Sequence, residues 1–79
     1  MTELENAIKA IDMLLEDTTV PKNIKIKLEN IKAILNEDAE LSIKVHKALN
    51  ELDEISNDIN LQPYTRTQLW NIASLLEML

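Results

Sequence analysis

Residues 58–76, DINLQPYTRTQLWNIASLL, fall on residues 17–35, DTTVPKNIKIKLENIKAIL, when the chain is shifted by 41 positions. Both stretches begin with Asp, pass through a short polar connector and a Pro, and continue as an amphipathic helix. The same shift lays Leu4, Ile8, Ile11 and Leu14 over Val45, Leu49, Leu52 and Ile55, so a preceding helix repeats as well. Identical pairs are Ala7/Ala48, Asp12/Asp53, Asp17/Asp58, Leu28/Leu69, Asn30/Asn71, Ile31/Ile72 and Leu35/Leu76. Two amphipathic helices share Leu and Ile by periodicity alone. Two helices, a connector Asp and an early basic residue (Lys25/Arg66) in one ungapped register point instead to one helical hairpin written twice.

The helices can be read outward from this repeat. Thr2 and Glu5 form a capping-box pattern before a stripe of Leu4, Ala7, Ile8, Ile11, Leu14 and Leu15. Pro21 suits the start of a second helix, where a missing N–H is no loss; Ile24, Leu28, Ile31, Ile34 and Leu35 turn inward. Asp38 is the expected N-cap of a third helix, about 39–56, with Leu41, Val45, Ala48, Leu49, Leu52 and Ile55 inward. Pro63, or Thr65 with Gln68 as a second capping box, opens the fourth, carried inward by Leu69, Ile72, Ala73 and Leu76. The expected fold is all-α: one helical domain over 1–79, hairpin 1 about 2–36 and hairpin 2 about 38–79. A period near 41 lies in the range of HEAT-type repeats, roughly 40–47 residues, but such solenoids need about three units. Two units with short connectors favour a compact antiparallel four-helix bundle.

Composition narrows the chemistry. Gly and Cys are absent, and the single His is His46. Phosphate-cradling loops and nucleophile elbows need Gly at defined points, and thiolate chemistry needs Cys. Helices normally end on a left-handed Gly; here Asn36, Asn57 and Asn60 stand where the helices should end. A di-metal bundle would place Glu three residues before His, but Ile43 occupies that position. No catalytic residue, metal site or cofactor is expected, and the chain reads as a non-enzyme. It has neither a signal peptide nor an apolar run of membrane length, so it reads as cytoplasmic. A net charge of −6 argues against nucleic acid as a partner.

The segments DTTVPKN (17–23) and LDEISNDINLQPYTRTQLWNIASLLE (52–77) make the chain resemble uncharacterised protein family 0147, a group of short archaeal proteins. The resemblance spans nearly the whole length and is most specific at Asn57-Asp58, Thr65-Arg66-Thr67 and Trp70-Asn71. It implies a small all-helical protein and no catalytic residue.

The residues outside the inward stripes are the functional candidates. Trp70 lies on the flank of its stripe, and its repeat counterpart is Glu29. Tyr64, Arg66 and Trp70, with Ile26, Ile43 and Met78 as outer contacts, form a candidate surface for a protein partner or for a second copy in a homodimer. Lys22, Lys25 and Lys32 share a flank of the second helix and give the alternative, a small nucleic-acid- or ribosome-associated factor. Asp17 and Asp58 are expected to cap or to pair with Lys25 and Arg66. Asn30 and Asn71, poor helix formers, are expected to bond across to the other hairpin, so that Asn71→Ala lowers the melting temperature.

Overall fold

Thr2 opens the first helix with a reciprocal cap. Its hydroxyl accepts the Glu5 N–H at 3.2 Å, and the Glu5 carboxylate accepts the Thr2 N–H at 3.2 Å, which satisfies two of the otherwise orphaned donors. The computed structural model describes residues 2–79; Met1 lies outside them. Four helices follow: α1 Glu3–Glu16, α2 Lys22–Leu35, α3 Leu41–Ser56 and α4 Pro63–Glu77. No strand occurs among the described residues.

Helices α1 and α3 each pack on both α2 and α4, while the diagonal pairs α1–α3 and α2–α4 do not meet among the described residues. A solenoid would stack equivalent helices, α1 on α3 and α2 on α4. The two hairpins instead face each other and close into a four-helix bundle. Its radius of gyration is 11.6 Å, close to the roughly 12 Å of a compact chain of this length.

Burial repeats with the sequence. Ala7, Ile11, Leu14, Val20, Ile24, Leu28, Ile31 and Leu35 are buried, and so is every residue 41 positions later: Ala48, Leu52, Ile55, Leu61, Thr65, Leu69, Ile72 and Leu76. The one further buried residue, Val45, has the partly buried Leu4 as its counterpart. All of these positions except the polar Thr65 form one apolar cluster. Neither hairpin has another surface against which to bury its stripe, so each completes the core of the other.

The connectors repeat in atomic detail. Asp17 Oδ1 accepts the Thr19 N–H, and Asp58 Oδ1 accepts the Asn60 N–H, both at 2.8 Å. The Val20 N–H then reaches the Asp17 carbonyl and the Leu61 N–H the Asp58 carbonyl, each at 3.2 Å. Each Asp thus holds a turn through its side chain and aims the next apolar residue, Val20 or Leu61, into the core. The Thr19 hydroxyl adds a bond to Asp17 at 2.7 Å. This bond, then the Thr19 N–H, holds the Asp17 carboxyl below its ordinary range, with a smaller electrostatic contribution from Lys25.

Several expectations need correction. Helix α3 begins at Leu41, not at 39, and Asp38 is not its cap; Glu40 precedes it without a side-chain cap bond. Residues 36–40 are all exposed and carry the chain from α2 to α3. Leu41 is exposed rather than inward. Pro63 opens α4, so Thr65 lies inside the helix and makes no capping box. It is 1% exposed and fills the place that Ile24 fills in hairpin 1, where its β-branched shape substitutes for that of isoleucine. Asn36 and Asn57 do follow their helices, with φ of −94° and −85°, but no described residue is left-handed. The helices end instead on short-range bonds such as Glu37 N–H to the Ile34 carbonyl and Asp58 N–H to the Ile55 carbonyl, which satisfy last-turn carbonyls without glycine.

The Asn pair behaves asymmetrically. Asn30 Nδ2 donates to Glu51 Oε1 at 3.2 Å, from α2 across to α3. The bundle's internal symmetry puts Ala10 opposite Asn71, and an alanine side chain cannot accept. Asn71 is exposed and makes no side-chain hydrogen bond to a described residue. Asn71→Ala therefore raises stability, by up to about 0.5 kcal/mol from helix propensity. Asn30→Ala gains less because it loses the Glu51 bond. Paired thermal melts of the two variants measure the difference.

Candidate functional site

The repeat supplies an internal control for the surface. At four matched exposed positions hairpin 1 carries polar residues, Thr18, Asn23, Glu29 and Glu37, and hairpin 2 carries Ile59, Tyr64, Trp70 and Met78. Ile59 is 90% exposed, Tyr64 61%, Trp70 57% and Met78 68%. The fold is satisfied by polar side chains at these places, since hairpin 1 has them, so packing does not require the apolar ones. Ile59 lies in the connector before α4. Tyr64, Trp70 and Met78 run from its first turn to its C-cap. Thr67, Asn71 and Ser74, also exposed, lie between them, and the only charges on α4 are Arg66 and Glu77. A depleted charge content with Tyr and Trp is the composition of interface cores.

Trp70 also borders a groove between α3 and α4. The groove has a volume of about 240 Å³, and Leu49, Leu52, Leu69 and Ala73 line it together with Asp53, Ser56 and Glu77. A wider depression of about 600 Å³ adjoins it through Leu49 and Glu77 and reaches Leu41 and Leu79.

The other candidates divide. Ile43 is exposed in the first turn of α3, at the end of the bundle where Leu79 lines the wide depression with Ser42 and His46. That is the Met78 end. Ile26 is exposed on α2, the diagonal helix that α4 does not touch, so it does not join the α4 face. Arg66 is committed to scaffold work. Its Nε donates to the Ser56 carbonyl at 3.1 Å and its Nη2 to the Asp58 carbonyl at 3.0 Å, closing the C-terminal end of α3. The expected pairing with the Asp58 carboxylate does not form. Lys25 is partly buried and reaches Asp17 only through the weaker long-range attraction already noted.

The lysine flank is also broken up. Lys32 Nζ lies 2.6 Å from Asp12 Oδ1 and ties α2 to α1. Lys22 is exposed in the first turn of α2, where a cation opposes the helix dipole. His46 is exposed on α3 and lines the wide depression, without a side-chain hydrogen bond to a described residue. Among the described residues, no group of three or more His, Cys, Asp or Glu side chains is placed to hold a metal ion, and no helix is long and apolar enough to cross a membrane.

The model of the uncharacterised protein family UPF0147 matches residues 1–79. The chain belongs to this family. A UPF0147 protein of Methanocaldococcus jannaschii is 44% identical over 75 residues, covering 94% of this chain and 81% of that protein. The crystal structure of a UPF0147 protein from Thermoplasma acidophilum is similar with a TM-score of 0.92 at 34% identity, covering 96% of this chain and 91% of that one. A crystal structure of the unknown function protein MMP1188 is similar with a TM-score of 0.91 at 42% identity, covering 98% of this chain and 89% of that one. The four-helix bundle of this UPF0147 chain thus has crystallographic counterparts over almost its whole length. Sequence reading missed three features. Ile59 is masked by its loop context, although its counterpart Thr18 marks it as an apolar exchange. Thr65 could have been placed in the core from its counterpart Ile24. The groove depends on packing between α3 and α4, which one helix wheel cannot show.

Proposed function

We propose that this UPF0147 protein is a noncatalytic helical interaction module that acts in the cytoplasm and docks a protein partner on the outer face of α4. The observation that carries this reading is the exchange of four polar residues of hairpin 1 for Ile59, Tyr64, Trp70 and Met78 at matched exposed positions of hairpin 2. Exposed single apolars are ordinary. A series of large apolar side chains along one weakly charged helix face, where the equivalent face of α2 carries only Ile26, supports a binding surface. The nucleic-acid reading has less support, because Asp12 already neutralises Lys32 and the whole chain is acidic.

Capture by the immobilised protein from the native cell extract, with and without nuclease, tests the proposal. A protein partner retained after nuclease treatment and lost on Trp70→Glu is the expected result. Material lost on nuclease treatment and dependent on Lys22 and Lys25 would overturn it in favour of a nucleic-acid-associated factor.

A further inference from the structure

Hairpin 1 shows what hairpin 2 lacks. Asp12 and Asp53 are equivalent, and Asp12 holds Lys32 at 2.6 Å. The residue equivalent to Lys32 is Ala73, and the residue equivalent to Leu15 is Ser56. Two large side chains have become small on the same flank. The space between α3 and α4 is correspondingly open, with Asp53, Ser56 and Ala73 all lining the groove of about 240 Å³. The Asp53 carboxylate has no cation, since the lysine that would reach it is an alanine, and no described side chain pairs with it.

We infer that this groove receives a basic amphipathic helix of a partner protein, whose Lys or Arg sits over Asp53 as Lys32 sits over Asp12. The inference rests on the interaction-module reading and names the chemistry of its partner. Three observations favour this occupant. The floor of Leu49, Leu52, Leu69 and Ala73 calls for an apolar anchor. The rim carries two carboxylates, Asp53 and Glu77, and no cationic residue lines the groove, so it favours a cationic partner. Trp70 lines the groove, and an indole beside a Lys or Arg stem attracts its charged head. The groove and the adjoining depression together follow α3 from Leu41 to Ser56, about 22 Å at 1.5 Å per residue, the length of about four helical turns.

The test titrates the full chain with an amphipathic helical peptide of about 18 residues bearing Leu and Lys on one face, and with the same peptide carrying Glu for Lys. Trp70, the single tryptophan, reports binding by its emission, and the anisotropy of a labelled peptide confirms it. The Lys peptide is expected to bind and the Glu peptide not. Asp53→Asn weakens binding about threefold at low salt, and Ala73→Lys, which restores hairpin 1's own ion pair and fills the groove, weakens it at least about tenfold. Hairpin 1 already folds with lysine at that position, and Asp53→Asn decides if Ala73→Lys does not fold. Equal binding of the two peptides, or binding unchanged by both substitutions, overturns the inference. Self-association of the chain alone, abolished by Ala73→Lys, overturns it in favour of a second copy as the occupant. A partner captured from extract that is lost on Trp70→Glu yet kept by Ala73→Lys refutes the cation over Asp53 and leaves the interaction module standing.

Discussion

Leu28→Ala and Leu69→Ala each lower stability by about 2–5 kcal/mol, and by nearly the same amount. The two leucines occupy equivalent places in the bundle, 0% and 1% exposed. Each substitution removes the transfer energy of a buried side chain and leaves a cavity that rigid neighbouring helices close only in part. The total stability of a 79-residue chain is on the order of 4–12 kcal/mol, so either change consumes a large share of it. At roughly 4–8 °C per kcal/mol for a domain of this size, the expected fall in melting temperature is about 8–40 °C. Far-UV circular dichroism on the two variants side by side measures it. A large loss at one site with almost none at the other would mean that the hairpins do not contribute equally to one core.

Trp70→Glu has the opposite profile. It installs the residue that hairpin 1 already carries at the equivalent exposed position, Glu29. Trp70 lies outside the buried core and Glu29 serves at the equivalent place, so the melting temperature stays within a few degrees, in line with the roughly 0.5 kcal/mol typical of surface changes. Partner binding suffers instead. An aromatic anchor at the centre of an interface contributes about 2 kcal/mol or more, a loss of roughly 30-fold in affinity. Binding to the captured partner, measured by titration of wild type and variant, gives the ratio. A change of less than about threefold would remove Trp70 as the anchor.

These two sites show where the sequence was sufficient and where it was not. The stripes through Leu28 and Leu69 are periodic and repeated, so the four helices and most of their inward faces are legible, Leu41 and Thr65 excepted. Pro63 and the Thr2–Glu5 box marked their helix starts because each acts locally. Asp38 misled because a good cap residue does not ensure a helix start; the chain between α2 and α3 remains exposed through residue 40, and local propensity yields to where the next helix must pack. Thr65 looked like a cap for the same reason, although its counterpart Ile24 lies in the core.

The candidate surface was legible at Tyr64, Trp70 and Met78, which fall outside the apolar stripe by helical geometry. Ile26 shares only its exposure with them, and the bundle places it on the diagonal helix. The unpaired Asn71, the committed Arg66 and the open groove beside Trp70 each depend on what another helix presents opposite. Ala10 fails to answer Asn71; the carbonyls of Ser56 and Asp58 occupy Arg66; Ala73 and Ser56 leave the groove open. A single sequence does not contain these relations until the two hairpins are set face to face.

The central claim is that hairpin 2 repeats the scaffold of hairpin 1 and adds a binding face to it. Ile59→Thr, Tyr64→Asn, Trp70→Glu and Met78→Glu, made together, give hairpin 2 the polar residues that hairpin 1 carries at these four positions. The decisive measurement is nuclease-resistant partner capture by this quadruple variant against wild type, at matched amounts of folded protein. The expected result is a variant that melts close to wild type and captures no partner. Undiminished capture by the folded variant would contradict the account.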